Sequence, residues 1–98
     1  MSNAFQITPR LWHLKLGMVN SYLLEVEDGL LLVDAGWPNK ADQIFAAVRE
    51  SGHNPTDIKH LALTHGHIDH AGSAAEVLRR TGARVYAHAA DLELIKKG

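Results

Sequence analysis

Over residues 5–16 apolar and polar positions alternate loosely, with Trp12, Leu14 and Leu16 on one parity. Residues two apart share a face of an extended chain, so this stretch predicts one edge-like strand, its start broken by Pro9. Ser21-Tyr22-Leu23-Leu24-Glu25-Val26 predicts a second strand and Leu30-Leu31-Leu32-Val33-Asp34 a third. Glu27-Asp28-Gly29 between them is a tight-turn signal, so the two should form a hairpin. Ala35-Gly36-Trp37-Pro38-Asn39 follows as a loop. The period then changes. Ala41, Ile44, Phe45 and Val48 recur at i, i+3, i+4 and i+7, which predicts a helix over 40–50, stopped by Gly52. Residues 58–64 read as a buried strand. Residues 71–81 read as a helix with Ala71, Ala74, Ala75 and Leu78 on one stripe and Gly82 after it. A short strand over 83–87 and a terminal helix over 89–97 complete the chain.

The predicted order is β-β-β-α-β-α-β-α, antiparallel at its start and βαβ-like at its end. That pattern implies an α+β or α/β fold, a mixed sheet with helices on one face. Yet the apolar runs 30–33 and 61–63 suggest strands buried on both faces. Something must then cover the second face: further chain, or another copy of this one.

Composition narrows the function classes. With 98 residues the chain is one small domain whose own core is marginal. A net charge of −1 carries no basic excess that would point to nucleic acid or an anionic membrane. No apolar run approaches the roughly 18–20 residues of a membrane span, and no signal-peptide pattern appears, so the default location is cytoplasmic. Met1-Ser2-Asn3-Ala4 resembles a start methionine plus a scar of tag removal and is set outside the fold, leaving 5–98 as the domain. There is no cysteine, so any metal site must use nitrogen and oxygen ligands.

Those ligands are present. Thr64-His65-Gly66-His67-Ile68-Asp69-His70-Ala71-Gly72 places three imidazoles and a carboxylate between a predicted buried strand and a predicted helix. Such side chains suit a borderline-soft divalent cation such as zinc. His65 and His67 are two apart and point the same way in extended chain. Asp69 and His70 fall at the helix start, where exposed N–H groups favour a carboxylate. Gly66 lets the chain bend between the first two ligands. The competing reading is a histidine-rich surface turn, which a lone histidine would favour and this density does not. His13, His53 and His60 have no partners in sequence and read as surface or core histidines. Trp37 either lines a cleft or simply packs.

The string resembles the His-x-His-x-Asp-His motif of the metallo-β-lactamase superfamily. Asn20-Ser21-Tyr22-Leu23-Leu24, Leu31-Leu32-Val33-Asp34-Ala35-Gly36 and Val85-Tyr86-Ala87-His88 fall where that family's other landmarks do, so the resemblance covers nearly the whole chain. It implies an αββα sandwich with a two-metal site between its sheets. By that likeness His65 and His67 would bind one metal and Asp69 and His70 the other, with zinc the expected ion and iron or manganese as further options. Asp69 would also orient the attacking water, and Asp34 would support the metal loop from behind. His88 is a further candidate, with a surface histidine as its alternative.

Family members are about twice as long. Their second half supplies another histidine, a bridging aspartate and a final histidine, none of which can be assigned here. The chain therefore resembles the N-terminal half of a metallo-β-lactamase-like domain. Its second layer would be a missing C-terminal half, or a homodimer would imitate it. The expected activity is metal-dependent hydrolysis of an acyl bond (ester, thioester, lactone or lactam) in a small-molecule substrate, by this chain or by the protein of which it is a truncated part. His67 argues against the flavodiiron branch, which usually carries glutamate there. The alternative is a non-catalytic metal-binding or assembly module that homodimerises through its uncovered sheet face; a histidine-rich metal carrier finds no support outside 65–70.

Overall fold

Alternation along the chain translates into a single sheet. The computed structural model describes residues 3–16, 19–34, 40–63 and 73–86. Strands Ala4–Thr8 (β1), Leu11–Leu16 (β2), Val19–Val26 (β3), Gly29–Val33 (β4), Ile58–Ala62 (β5) and Arg84–Tyr86 (β6) lie side by side in chain order. β1 to β4 pair antiparallel, whereas β4, β5 and β6 are parallel. The described helices are Ala41–Glu50 (α1) and Ala74–Thr81 (α2), with a 3₁₀ turn at Pro55–Asp57. The mixed sheet matches expectation, and so does the β3–β4 hairpin.

The first predicted strand is two. Pro9 and Arg10 form a turn, and β1 folds back on β2 with Phe5 opposite His13. Proline has no N–H to give a ladder and a fixed φ that suits a turn, so it reverses the chain rather than merely fraying a start. The described residues therefore run β-β-β-β-α-β-α-β. Asn3 and Ala4, set outside the fold on sequence grounds, take part in it. Ala4 pairs with Leu14, and the Lys15 N–H donates to the Asn3 carbonyl at 2.8 Å. The predicted helix over 89–97 lies outside the described residues.

One face of the sheet carries the core. Trp12, Leu14 and Leu16 of β2, Leu23 of β3, Leu30 and Leu32 of β4, and Ile58 and Leu61 of β5 are buried with Ile44, Phe45 and Val48 of α1 and Ala74 and Val77 of α2. Both described helices pack on that face, as the pattern predicted. Arg80 of α2 ties them together: its guanidinium sits 4.3 Å from the centre of the Phe45 ring and 2.7 Å from the Asp42 carboxylate. The intervening residues Leu31, Val33 and Ala62 are only half-buried. One face is thus covered by the described helices, and the other is the face that the sequence reading left to further chain or to another copy.

Gly29 shows why the hairpin turn needs its residue type. Its φ is 145°, and a Cβ there would fall 2.6 Å from the Asp57 carbonyl oxygen. Only glycine lets β4 start this close to the chain entering β5.

Candidate functional site at the ends of the parallel strands

Parallel strands all finish at one edge of a sheet, and in open α/β arrangements ligands gather there. Here β4 ends into Asp34, β5 into Leu63 and β6 into Tyr86. The Asp34 N–H donates to the Ala62 carbonyl at 2.8 Å, and the Leu63 N–H donates to the Tyr86 carbonyl at 2.9 Å. The ends of these three strands are therefore neighbours along one edge of the sheet.

The residues that precede the two helices are joined as well. The backbone N–H of Lys40, just before α1, donates to the Ser73 hydroxyl, just before α2, at 2.8 Å. The described residues on either side of 35–39 and of 64–72 are thus neighbours at both ends. His65, His67, Asp69, His70 and Trp37 lie within those spans, and His88 follows β6; all six are outside the described residues. Among the described residues no group of three or more histidines, cysteines, aspartates or glutamates is placed to hold a metal.

Asp34 is described, and its setting is specific. It is 6% exposed, with φ at 67°, the left-handed region where aspartate is enriched among non-glycine residues. Among the described residues it alone has a positive φ without being glycine. Such a conformation persists only where its surroundings impose it. Here Ser21, fully buried on β3, donates its hydroxyl to the carbonyls of Val33 and Asp34, 2.7 Å from each. With the Asp34 N–H held by Ala62, both sides of the residue are clamped. Sequence reasoning took Ser21 only as part of a landmark. The available signal was a small polar residue on the inward parity of β3, two before Leu23. Ser73, also buried, was missed altogether, since its partner is 33 residues away.

The remaining described histidines, His13, His53 and His60, are engaged elsewhere. His53 lies 2.7 Å from Glu25 Oε2 and 2.8 Å from the Ser51 hydroxyl, with its ring edge-on to Trp12. This looks like a serine–histidine–acid array, but the Ser51 oxygen also lies 2.6 Å from the Val48 carbonyl, where it closes the end of α1. It is a helix terminus fastened to β3 rather than a free nucleophile. His13 is 2.7 Å from Asn20 Oδ1 and stacks on Tyr22. His60 bridges Asp28, 2.9 Å away, and the Tyr86 hydroxyl, 3.0 Å away. The hydrogen bond from His60 holds the Asp28 carboxyl below the usual carboxylate range. No helix among the described residues is long and apolar enough to cross a membrane.

Comparison with known proteins gives this geometry a context. The sequence profile of the metallo-beta-lactamase superfamily matches residues 14–98. A hydroxyacylglutathione hydrolase of Anaeromyxobacter dehalogenans is 42% identical over 71 residues, 72% of this chain and 26% of that enzyme. The exodeoxyribonuclease WalJ of Streptococcus pneumoniae is 35% identical over 69 residues, 70% of this chain and 25% of that one. Among solved structures, the class B3 di-zinc metallo-beta-lactamase LRA-12 from an Alaskan soil metagenome aligns with a TM-score of 0.77 at 32% identity, covering 85% of this chain and 31% of its own. The chain spans about a third or less of the length of the curated relatives it matches, rather than the expected half.

Proposed function

Because the chain belongs to the metallo-beta-lactamase superfamily, we propose that it is a metal-dependent hydrolase of small acyl substrates, or the N-terminal part of one. The observation that carries this reading is the double fastening of the two loops. The described residues that flank 35–39 and 64–72 are joined twice, by the Asp34 N–H to the Ala62 carbonyl on the sheet side and by the Lys40 N–H to the Ser73 hydroxyl on the helix side. A segment pinned at both ends loses less entropy on ordering around a ligand than a free one does. Its donor set of three imidazoles and a carboxylate fits zinc.

In this reading His65 and His67 would hold one cation and Asp69 and His70 a second. The cation supplies, when bound, Lewis acidity for a water nucleophile and for the oxyanion formed from an acyl group. Asp69 would accept a hydrogen bond from that water and so orient it. Asp34 would brace the ligand loop from the strand end, which gives its strained, buried conformation a purpose. The zinc of the LRA-12 lactamase and the acyl chemistry named for the Anaeromyxobacter enzyme support this assignment.

A second reading follows from length. In that reading the chain, which spans a quarter to a third of the length of these relatives, is a metal-binding module without turnover of its own. Assay of the zinc-loaded chain against a thioester, a lactone, a β-lactam and an activated phosphodiester separates these readings. Acyl hydrolysis that disappears in His67→Ala supports the hydrolase. Metal binding with no turnover favours the module, and turnover of the phosphodiester alone would replace the acyl assignment.

A further inference from the structure

We infer that Ser21 is a positioning residue of the metal site: its buried hydroxyl sets the backbone of Asp34 and, through it, the zinc affinity of the 64–72 string. The inference rests on the metal-site reading above and adds to it a residue on neither loop. Strand register brings the pair together. β3 and β4 pair Leu23 with Leu32 and Tyr22 with Val33, and the ladder stops there. Continued by one step, it would set Ser21 against Asp34. Asp34 instead takes a φ of 67°, outside the range of a strand. The Ser21 hydroxyl lies where the ladder ends, 2.7 Å from the Val33 carbonyl and 2.7 Å from that of Asp34.

Two successive carbonyls on one hydroxyl fix the torsions between them. In extended chain they point to opposite sides, whereas helical torsions of either hand turn them the same way. The donor on β3 therefore excludes an extended Asp34. The Asp34 N–H selects further, because it donates to Ala62 of β5 at 2.8 Å, on the other side of β4. In a strand residue the N–H and the carbonyl face the same neighbour; in Asp34 they are divided between β5 and β3. Removing the hydroxyl releases one half of that division and lets Asp34 relax out of a region that strains a non-glycine residue.

Packing alone does not call for a serine here. Ser21 is fully buried, opposite Leu14 of β2 and on the same face as Leu23, both also fully buried. An alanine would fill that face without the cost of burying a hydroxyl. Nor is the bond a local helix-end closure like those of Ser51 and Thr81, whose hydroxyls each donate to a carbonyl three or four residues back. The Ser21 acceptors are 12 and 13 residues away, and both belong to the end of β4. The Asp34 N–H ties that end to Ala62, two residues before the 64–72 string begins. A shift of Asp34 is thereby passed to the end of β5.

Zinc titration of the whole chain against a competing chelator tests it, with hydrogen exchange of the Asp34 amide as a readout that needs no metal. Ser21→Ala should weaken zinc binding about tenfold, the lower end of what outer partners of metal ligands contribute. It should also speed Asp34 exchange relative to the amides in the middle of β4. Ser51→Ala, which removes a hydroxyl away from the site, should leave both unchanged. In the Asp34→Gly background, Ser21→Ala should bring no further loss of zinc, since the residue it acts through is gone. If Ser21→Ala alone does not fold, recovery of the fold in that double variant supports the inference, because glycine adopts the left-handed region unaided. A double variant that stays unfolded overturns it. Wild-type zinc affinity in folded Ser21→Ala overturns it and leaves the metal site standing. An equal further loss in the Asp34→Gly background overturns it as well. A wild type that binds no zinc removes the metal-site reading, and this inference with it.

Discussion

The two faces of the sheet come from the same strands, residue by residue, and differ in what covers them. Leu32 and Leu61 are fully buried beneath the helices, while their neighbours Leu31 and Ala62 on the opposite face are half-buried. Composition does not separate them; leucine appears on both. The difference is supplied by α1 and α2, which have one apolar stripe each and can cover only one side. An apolar residue in a strand is therefore a statement about the eventual assembly, and only sometimes about the chain that carries it.

The contrast can be broken most forcefully by paired truncations. Leu61→Ala should cost about 2–5 kcal/mol, as it opens a cavity in packed core. Leu31→Ala, one strand away on the open face, should cost about 1 kcal/mol or less in a monomer, since its side chain keeps contact with water. Urea unfolding measures both at low protein concentration; equal losses would show the faces to be equivalent after all.

Asp34 sharpens the comparison from the strand end. Asp34→Gly removes the penalty of a left-handed residue and should stabilise the fold by about 1 kcal/mol or leave it unchanged, read by thermal unfolding. The same substitution should lower metal affinity by about 10–100-fold if the carboxylate braces the ligand loop. Gain in one measurement with loss in the other is the signature of a residue kept for function.

The smallest effect lies on the open face. Asp28 titrates below its ordinary range because His60 donates to it, so the pair contributes stability above the usual carboxylate pKa and loses it as pH falls through the depressed value. His60→Ala should move the Asp28 titration upward, visible in the carboxyl carbon shift by NMR, with little change in unfolding because Asp28 is well exposed. An unmoved titration would show that His60 does not hold that carboxylate in solution.

Local signals were legible where they depend on neighbours in sequence. The two-residue turn at Glu27-Asp28 and the spacing of Ala41, Ile44, Phe45 and Val48 were enough for the hairpin and for α1. The β1–β2 split was not read, although the apolar parity changes from Phe5 and Ile7 to Trp12, Leu14 and Leu16 across Pro9-Arg10. That the helices lie on one face was legible from the element order, but what covers the other face was not, since the run 30–33 reads the same whichever chain supplies a second layer. At the site, the ligand string announced its chemistry through residue type. The fastening that frames it did not: Lys40 and Ser73, like Ser21 and Asp34, meet only after the sheet and helices are assembled.

Metal binding by His65, His67, Asp69 and His70 is the central claim. Equilibrium dialysis of the purified chain against zinc at neutral pH, followed by metal analysis, tests it directly. At least one tightly held zinc per chain is expected, lost in the His65→Ala, His67→Ala double variant while circular dichroism stays unchanged. A folded chain that retains no zinc, or a double variant that retains as much as the wild type, would contradict it.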